Sequence, residues 1–165
     1  MIQPTGFLAM GVSGSGKTTL GKALAQKLGW DYFDADDFHA PENVAKMRAG
    51  IPLDDSDRAP WLAALHEQLL ATLNAGRHPV LGCSALKEKY RAQLLEDMHG
   101  ISVIYLKGSY EQIWPRMSAR QGHYMKLEML KSQFEALEEP QDSFAIDVSL
   151  PMEEMIDKII KRYFS

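Results

Sequence analysis

The sequence predicts an α/β protein, a five-stranded parallel sheet with helices on both faces and a short helical lid. Short apolar runs alternate with helix-period segments from end to end, and the first run passes through a glycine-rich turn straight into a helix. No repeat of about 20 to 50 residues, low-complexity tract or Pro/Ser linker interrupts the pattern, so residues 1–165 read as one domain.

Phe7-Leu8-Ala9-Met10 is the expected first strand, and Leu20, Ala23, Leu24 and Leu28 then fall at helical spacing until Gly29 stops the helix. Tyr32-Phe33 forms the second strand and delivers the acidic run Asp34-Ala35-Asp36-Asp37 at its carboxyl end. A helix is expected from Pro41, a residue favoured in a first turn, to Gly50. Another should begin near Pro60, with Leu62, Leu65, Leu69 and Leu73 on one face, and stop at Gly76. Val80-Leu81-Gly82-Cys83 reads as a buried third strand, Lys87 to Met98 as a helix, and Ile101 to Leu106 as the fourth strand. Ser109 with Gln112 three residues on is a capping-box start, and Pro115 should kink the helix that follows by removing a backbone bond. Met125 to Leu137 is helical, Phe144 to Val148 is the last strand and Pro151 to Tyr163 the last helix. Ligands of such a sheet are expected at the carboxyl ends of its strands.

Composition narrows the function classes. With 18 Lys plus Arg against 22 Asp plus Glu, a net charge of -4 excludes a broad phosphate-backbone footprint, so no nucleic-acid partner is expected. The single cysteine, Cys83, excludes an internal disulfide framework and a thiolate zinc cage. No run approaches the roughly 18 apolar residues of a membrane span, and Met1-Ile2-Gln3-Pro4-Thr5 lacks the features of a signal peptide. A cytoplasmic protein without a membrane partner is expected. No motif speaks to assembly, and a homodimer is left open.

Gly11-Val12-Ser13-Gly14-Ser15-Gly16-Lys17-Thr18 fits G-x-x-x-x-G-K-[ST] in full, between a strand and a helix. Its glycines let the backbone wrap closely and aim N–H groups at phosphate oxygens, with partial positive charge added by the helix N-terminus. Lys17 should reach the β- and γ-phosphates of ATP, and the Thr18 hydroxyl should coordinate magnesium (Mg2+). The expected nucleotide-binding set is Gly11, Ser13, Gly14, Ser15, Gly16, Lys17, Thr18 and Thr19. A switch protein or ATPase fits less well than a small-molecule kinase. The guanine-reading Asn-Lys-x-Asp and Thr-Lys-x-Asp are absent, and the third strand ends in Cys83-Ser84 rather than a magnesium-holding aspartate.

A wider set of residues resembles the gluconate kinase family of P-loop sugar-acid kinases. It comprises Asp34-Ala35-Asp36 with His39, Asn43 to Met47 with Gly50, Pro52-Leu53, Asp55, Asp57-Arg58 and Pro60-Trp61-Leu62. Cys83-Ser84-Ala85-Leu86-Lys87 with Tyr90-Arg91 follows, then Arg116, Arg120, Gly122-His123, Ser132-Gln133-Phe134, Leu137 and Glu139-Pro140. The resemblance implies a P-loop kinase fold and ATP-dependent phosphorylation of gluconate at its terminal hydroxyl. Shikimate kinases, the nearest look-alike, place a glycine triplet where this chain has Cys83-Ser84-Ala85. A shikimate-like or nucleoside-type kinase is the alternative within the enzyme class.

Phosphoryl transfer to an alcohol needs a carboxylate to orient the hydroxyl and accept its proton, and cations to neutralise the transferred group. Asp36, following the second strand beside the phosphate loop, is the candidate base; Asp34 is a turn residue able to hold magnesium through water. Arg58 is the expected cationic fork for a substrate carboxylate. The resemblance adds His39, Lys46, Ser84, Lys87, Arg91 and His123 to the substrate pocket. Arg116 and Arg120, four apart, share a helix face and are expected to reach the phosphates from a lid over residues 116–125, Arg120 acting in catalysis with Lys17 and Asp36.

Overall fold

The computed structural model describes residues 3–119 and 126–165, with the side chains of residues 126–128 left aside. Five strands, β1 (Gly6–Met10), β2 (Asp31–Asp34), β3 (Pro79–Gly82), β4 (Ile101–Lys107) and β5 (Phe144–Asp147), form one parallel sheet in the order β2-β3-β1-β4-β5. The helices are α1 (Lys17–Leu28), α2 (Pro41–Arg48), α3 (Asp55–Asn74), α4 (Glu88–Leu94), α5 (Tyr110–Ser118), α6 (Lys126–Ala136) and α7 (Met152–Phe164).

Because side chains alternate along a strand, the central strand β1 feeds two cores. Phe7 and Ala9 pack with Leu20 and Leu24 of α1, Ile113 and Met117 of α5, and Met155, Ile156 and Ile159 of α7. Leu8 and Met10 point the other way, into Leu62, Leu65 and Leu69 of α3 and Leu94 of α4. The chain leaves β1 over the first face toward β2, and leaves β3 over the second face toward β4. Divergent connections of this kind open a crevice beyond the carboxyl ends of β1 and β3.

Two helix boundaries differ by several residues from the sequence expectation. Helix α3 starts at Asp55 rather than near Pro60, because Asp54 caps it: its carboxylate accepts from Asp57 N–H while the Asp57 carboxylate accepts from Asp54 N–H. Helix α4 ends at Leu94 rather than Met98, the chain then turning through Asp97 at φ 60°. Pro115 lies inside α5, which continues past it to Ser118. Pro60 and Pro115 each stand sixth in their helices, and the carbonyls they free belong to the exposed residues Ser56 and Glu111, where water can bind them. Arg116 therefore lies in the last turn of α5. Residues 120–125 of the expected lid, Arg120, Gly122 and His123 among them, lie outside the described residues.

Candidate active site

The loop from Gly11 to Thr18 closes the carboxyl end of β1 and opens α1. Gly14 and Gly16 have φ of 81° and 100°, and a Cβ on Gly14 would meet Met117 Cγ at 2.6 Å, so glycine is required there both by conformation and by the approach of α5. No side chain caps α1 and no acid stands in its first turn, which leaves its N–H groups and dipole facing the crevice. The Lys17 ammonium folds along the loop and donates to the carbonyls of Gly11 (3.1 Å) and Val12 (3.2 Å).

The opposite wall comes from the end of β2. Thr18 Oγ1 donates to Asp34 Oδ2 at 3.3 Å, and Asp34 Oδ1 accepts from Asp36 N–H at 3.0 Å, capping a single 3-10 turn, Ala35–Phe38. Burial pushes the Asp36 carboxyl above the ordinary carboxylate range, with Asp34 adding to the rise and Lys17 partly opposing it. Ser13, Lys17, Thr18, Thr19, Asp34, Asp36 and Ser84 line one cleft of about 150 Å³. A larger hollow of about 520 Å³ lies between the ends of β4 and β5, but none of the predicted site residues lines it. Its lining offers Lys107 and Asp147 without a phosphate loop. Cys83 also borders the cleft; burial pushes its thiol up to about 12, so at neutral pH it is a small apolar wall and no nucleophile.

Beyond Asp36 the wall continues as His39, whose ring stacks on Trp61 (centroids 4.3 Å apart, 12° between planes) while Trp61 Nε1 donates to Ala35 O at 2.7 Å. Burial lowers the His39 pKa, with Asp36 opposing the shift and Arg58 adding to it. Arg58 Nη1 donates to Tyr90 Oη at 3.1 Å. Lys46 is tied to Asp57 at 2.9 Å, joining α2 to α3. Lys87 is the residue preceding α4.

Two expectations about cations change. Arg91, expected in the substrate pocket, is 6% exposed and donates to the carbonyls of Ala85 (2.7 Å) and Glu138 (2.8 Å), pinning the turn after β3 to the segment after α6. Arg116 donates to Val148 O, at the end of β5, which is where its guanidinium sits among the described residues. Sequence reasoning gave no role to Gln133, although it holds the phosphate loop. Its Oε1 accepts from Ser13 N–H at 2.6 Å and its Nε2 donates to Ser13 Oγ at 2.9 Å. The contact spans 120 positions, so no local pattern announces it.

A family model described as shikimate kinase matches residues 13–163. Among curated relatives, a probable gluconokinase of Mus musculus is 45% identical over 92% of this chain and 94% of its own. The thermoresistant gluconokinase of Escherichia coli (strain K12) is 40% identical over 94% of this chain and 91% of its own. A crystal structure of a gluconokinase from Sinorhizobium meliloti 1021 superposes with a TM-score of 0.84 at 41% identity, covering 98% of this chain and 92% of that one. A shikimate kinase structure from Aquifex aeolicus, covering 95% of this chain and 94% of that one, has a TM-score of 0.57 at 14% identity and shares the fold alone.

Proposed function

The chain belongs to the gluconokinase family, and from that membership we propose that it transfers the γ-phosphoryl group of ATP to the terminal hydroxyl of D-gluconate, giving 6-phospho-D-gluconate and ADP. The observation that carries the reading is the juxtaposition, in one cleft, of the phosphate loop on one wall and the carboxylate of Asp36 on the other. The loop N–H groups, the α1 dipole and Lys17 hold the phosphates. Asp36 orients the substrate hydroxyl and takes its proton as oxygen bonds to phosphorus and the bond to the β-phosphate oxygen breaks. Lys17 stabilises the oxygens on which charge gathers.

Thr18 Oγ1 and the Asp34 carboxylate, 3.3 Å apart at the loop, are hard oxygen donors of the kind magnesium takes. Magnesium held by one or two such side chains would take its remaining ligands from phosphate and water. Bound magnesium would neutralise phosphate charge there; these two side chains would hold it. Substrate selection falls to Ser84, His39 and Arg58, with Arg58 the fork for the carboxylate.

The test is an ADP-release screen with ATP and magnesium against gluconate, other aldonates, shikimate and nucleosides. Turnover with gluconate is expected. Turnover with shikimate alone would transfer the chain to the class named by the family model, despite the 14% identity of the shikimate kinase structure.

A further inference from the structure

Arg58 stands in a small network whose members come from two helices. Its guanidinium lies 5.3 Å over the Tyr90 ring, and its Nη1 donates to Tyr90 Oη at 3.1 Å. Tyr90 in turn donates its own proton to Asp55 Oδ1 at 2.8 Å, and Asp55 Oδ2 accepts from the Lys89 ammonium. The direction of the middle bond matters. With its O–H committed to Asp55, the phenol presents lone pairs to Arg58, so the guanidinium is turned by an oxygen that cannot neutralise it. Asp55 accepts hydrogen bonds from Tyr90 and Lys89 and forms only a loose ion pair with Arg58, at 3.8 Å and outside good hydrogen-bond range.

Two cations and one anion leave the network with an excess positive charge, and among the described residues Arg58 has given only one of its N–H donors to a partner. By contrast, Arg91 is consumed by backbone carbonyls and Arg77 by a two-point pair with Asp31. Arg58 also shares a face of α3 with Trp61, one turn on, which carries His39 and so borders Asp36. A planar fork held from one side, with donors left over, is the arrangement that recognises a carboxylate at two points.

We infer that Tyr90, set by Asp55, is a positioning residue that presents Arg58 to the carboxylate end of the substrate, and that this network selects an acid over a neutral sugar. The inference rests on the gluconate reading and adds to it a residue outside the cleft at the phosphate loop. Tyr90→Phe keeps the ring under Arg58 and removes only the oxygen. It is expected to raise the KM for gluconate about tenfold, with kcat and the KM for ATP within about twofold of wild type. In an Arg58→Ala background the same change should add less than about twofold, because the fork it positions is gone.

A Tyr90→Phe enzyme with unchanged KM for gluconate, a loss carried by kcat instead, or full additivity with Arg58→Ala would each overturn the inference while leaving the gluconate reading intact. A wild-type enzyme that does not turn over gluconate would overturn both.

Discussion

Lys17 and Asp36 face each other across the cleft, and each carries a separable expectation. Removing the ammonium that lies along the Gly11 and Val12 carbonyls takes away the charge proposed to steady the phosphates. Lys17→Ala should therefore lower kcat/KM by several orders of magnitude in a coupled ADP assay, and turnover within about tenfold of wild type would count against the phosphate-loop assignment. Asp36 is held in a site that disfavours its charge. Its folded pKa lies above the unfolded value, so the folded protein binds the proton more tightly and stability falls as pH rises through the window between the two. At neutral pH the ionised form is thus less favoured by the fold than the protonated one. Asp36→Asn should lower kcat by about 10² to 10⁴ without lowering Tm. For wild type, kcat/KM should fall on the acid side with a midpoint above the ordinary aspartate value of about 3.9. An Asp36→Asn enzyme both inactive and strongly destabilised would make this residue a fold element rather than a base.

Among the elements, α3 shows where sequence reasoning stops. The Ser109–Gln112 box of α5 was legible, since Ser-x-x-Gln is the familiar pattern. The box that starts α3 uses aspartate at both positions, Asp54 and Asp57, and Pro60 supplies a competing start signal five residues into the helix. The consequence is functional, because the earlier start places Asp55, Asp57 and Arg58 on a rigid first turn instead of a loop. Asp54→Ala removes the acceptor for Asp57 N–H (2.8 Å) and Ser56 Oγ (2.6 Å). It should cost about 1 kcal/mol, lowering Tm by about 2–4 °C in thermal unfolding. Because Asp57 is also the partner of Lys46, the α2–α3 junction should loosen with it, and an unchanged Tm would show that the cap contributes nothing to the fold.

On the scale of the whole molecule, the parts written in consecutive residues were legible and the parts written by topology were not. Strand, glycine loop and helix are neighbours in the chain, so Gly11 to Thr18 declared both their shape and their chemistry. The burial of Arg91, the hold of Gln133 on Ser13 and the Tyr90–Arg58 contact join segments 47, 120 and 32 residues apart, and depend on which strands lie side by side. The same feature yields a prediction for the intact protein. The proposed phosphate site draws on the loop after β1, the end of β2, the turn after β3 and a side chain of α6, segments that the fold brings together. ATP with magnesium should consequently bind the native state alone and stabilise it by mass action, about 2.7 kcal/mol at a hundred times Kd. For a chain of 165 residues this corresponds to a rise in Tm of roughly 5–10 °C. The shift should shrink to less than about a third in Lys17→Ala at the same ATP concentration, because its affinity is lower and the linkage follows the ratio of ligand to Kd. Differential scanning fluorimetry with and without ATP measures both, and a wild-type Tm indifferent to ATP would remove the nucleotide from this crevice whatever the sequence of the loop.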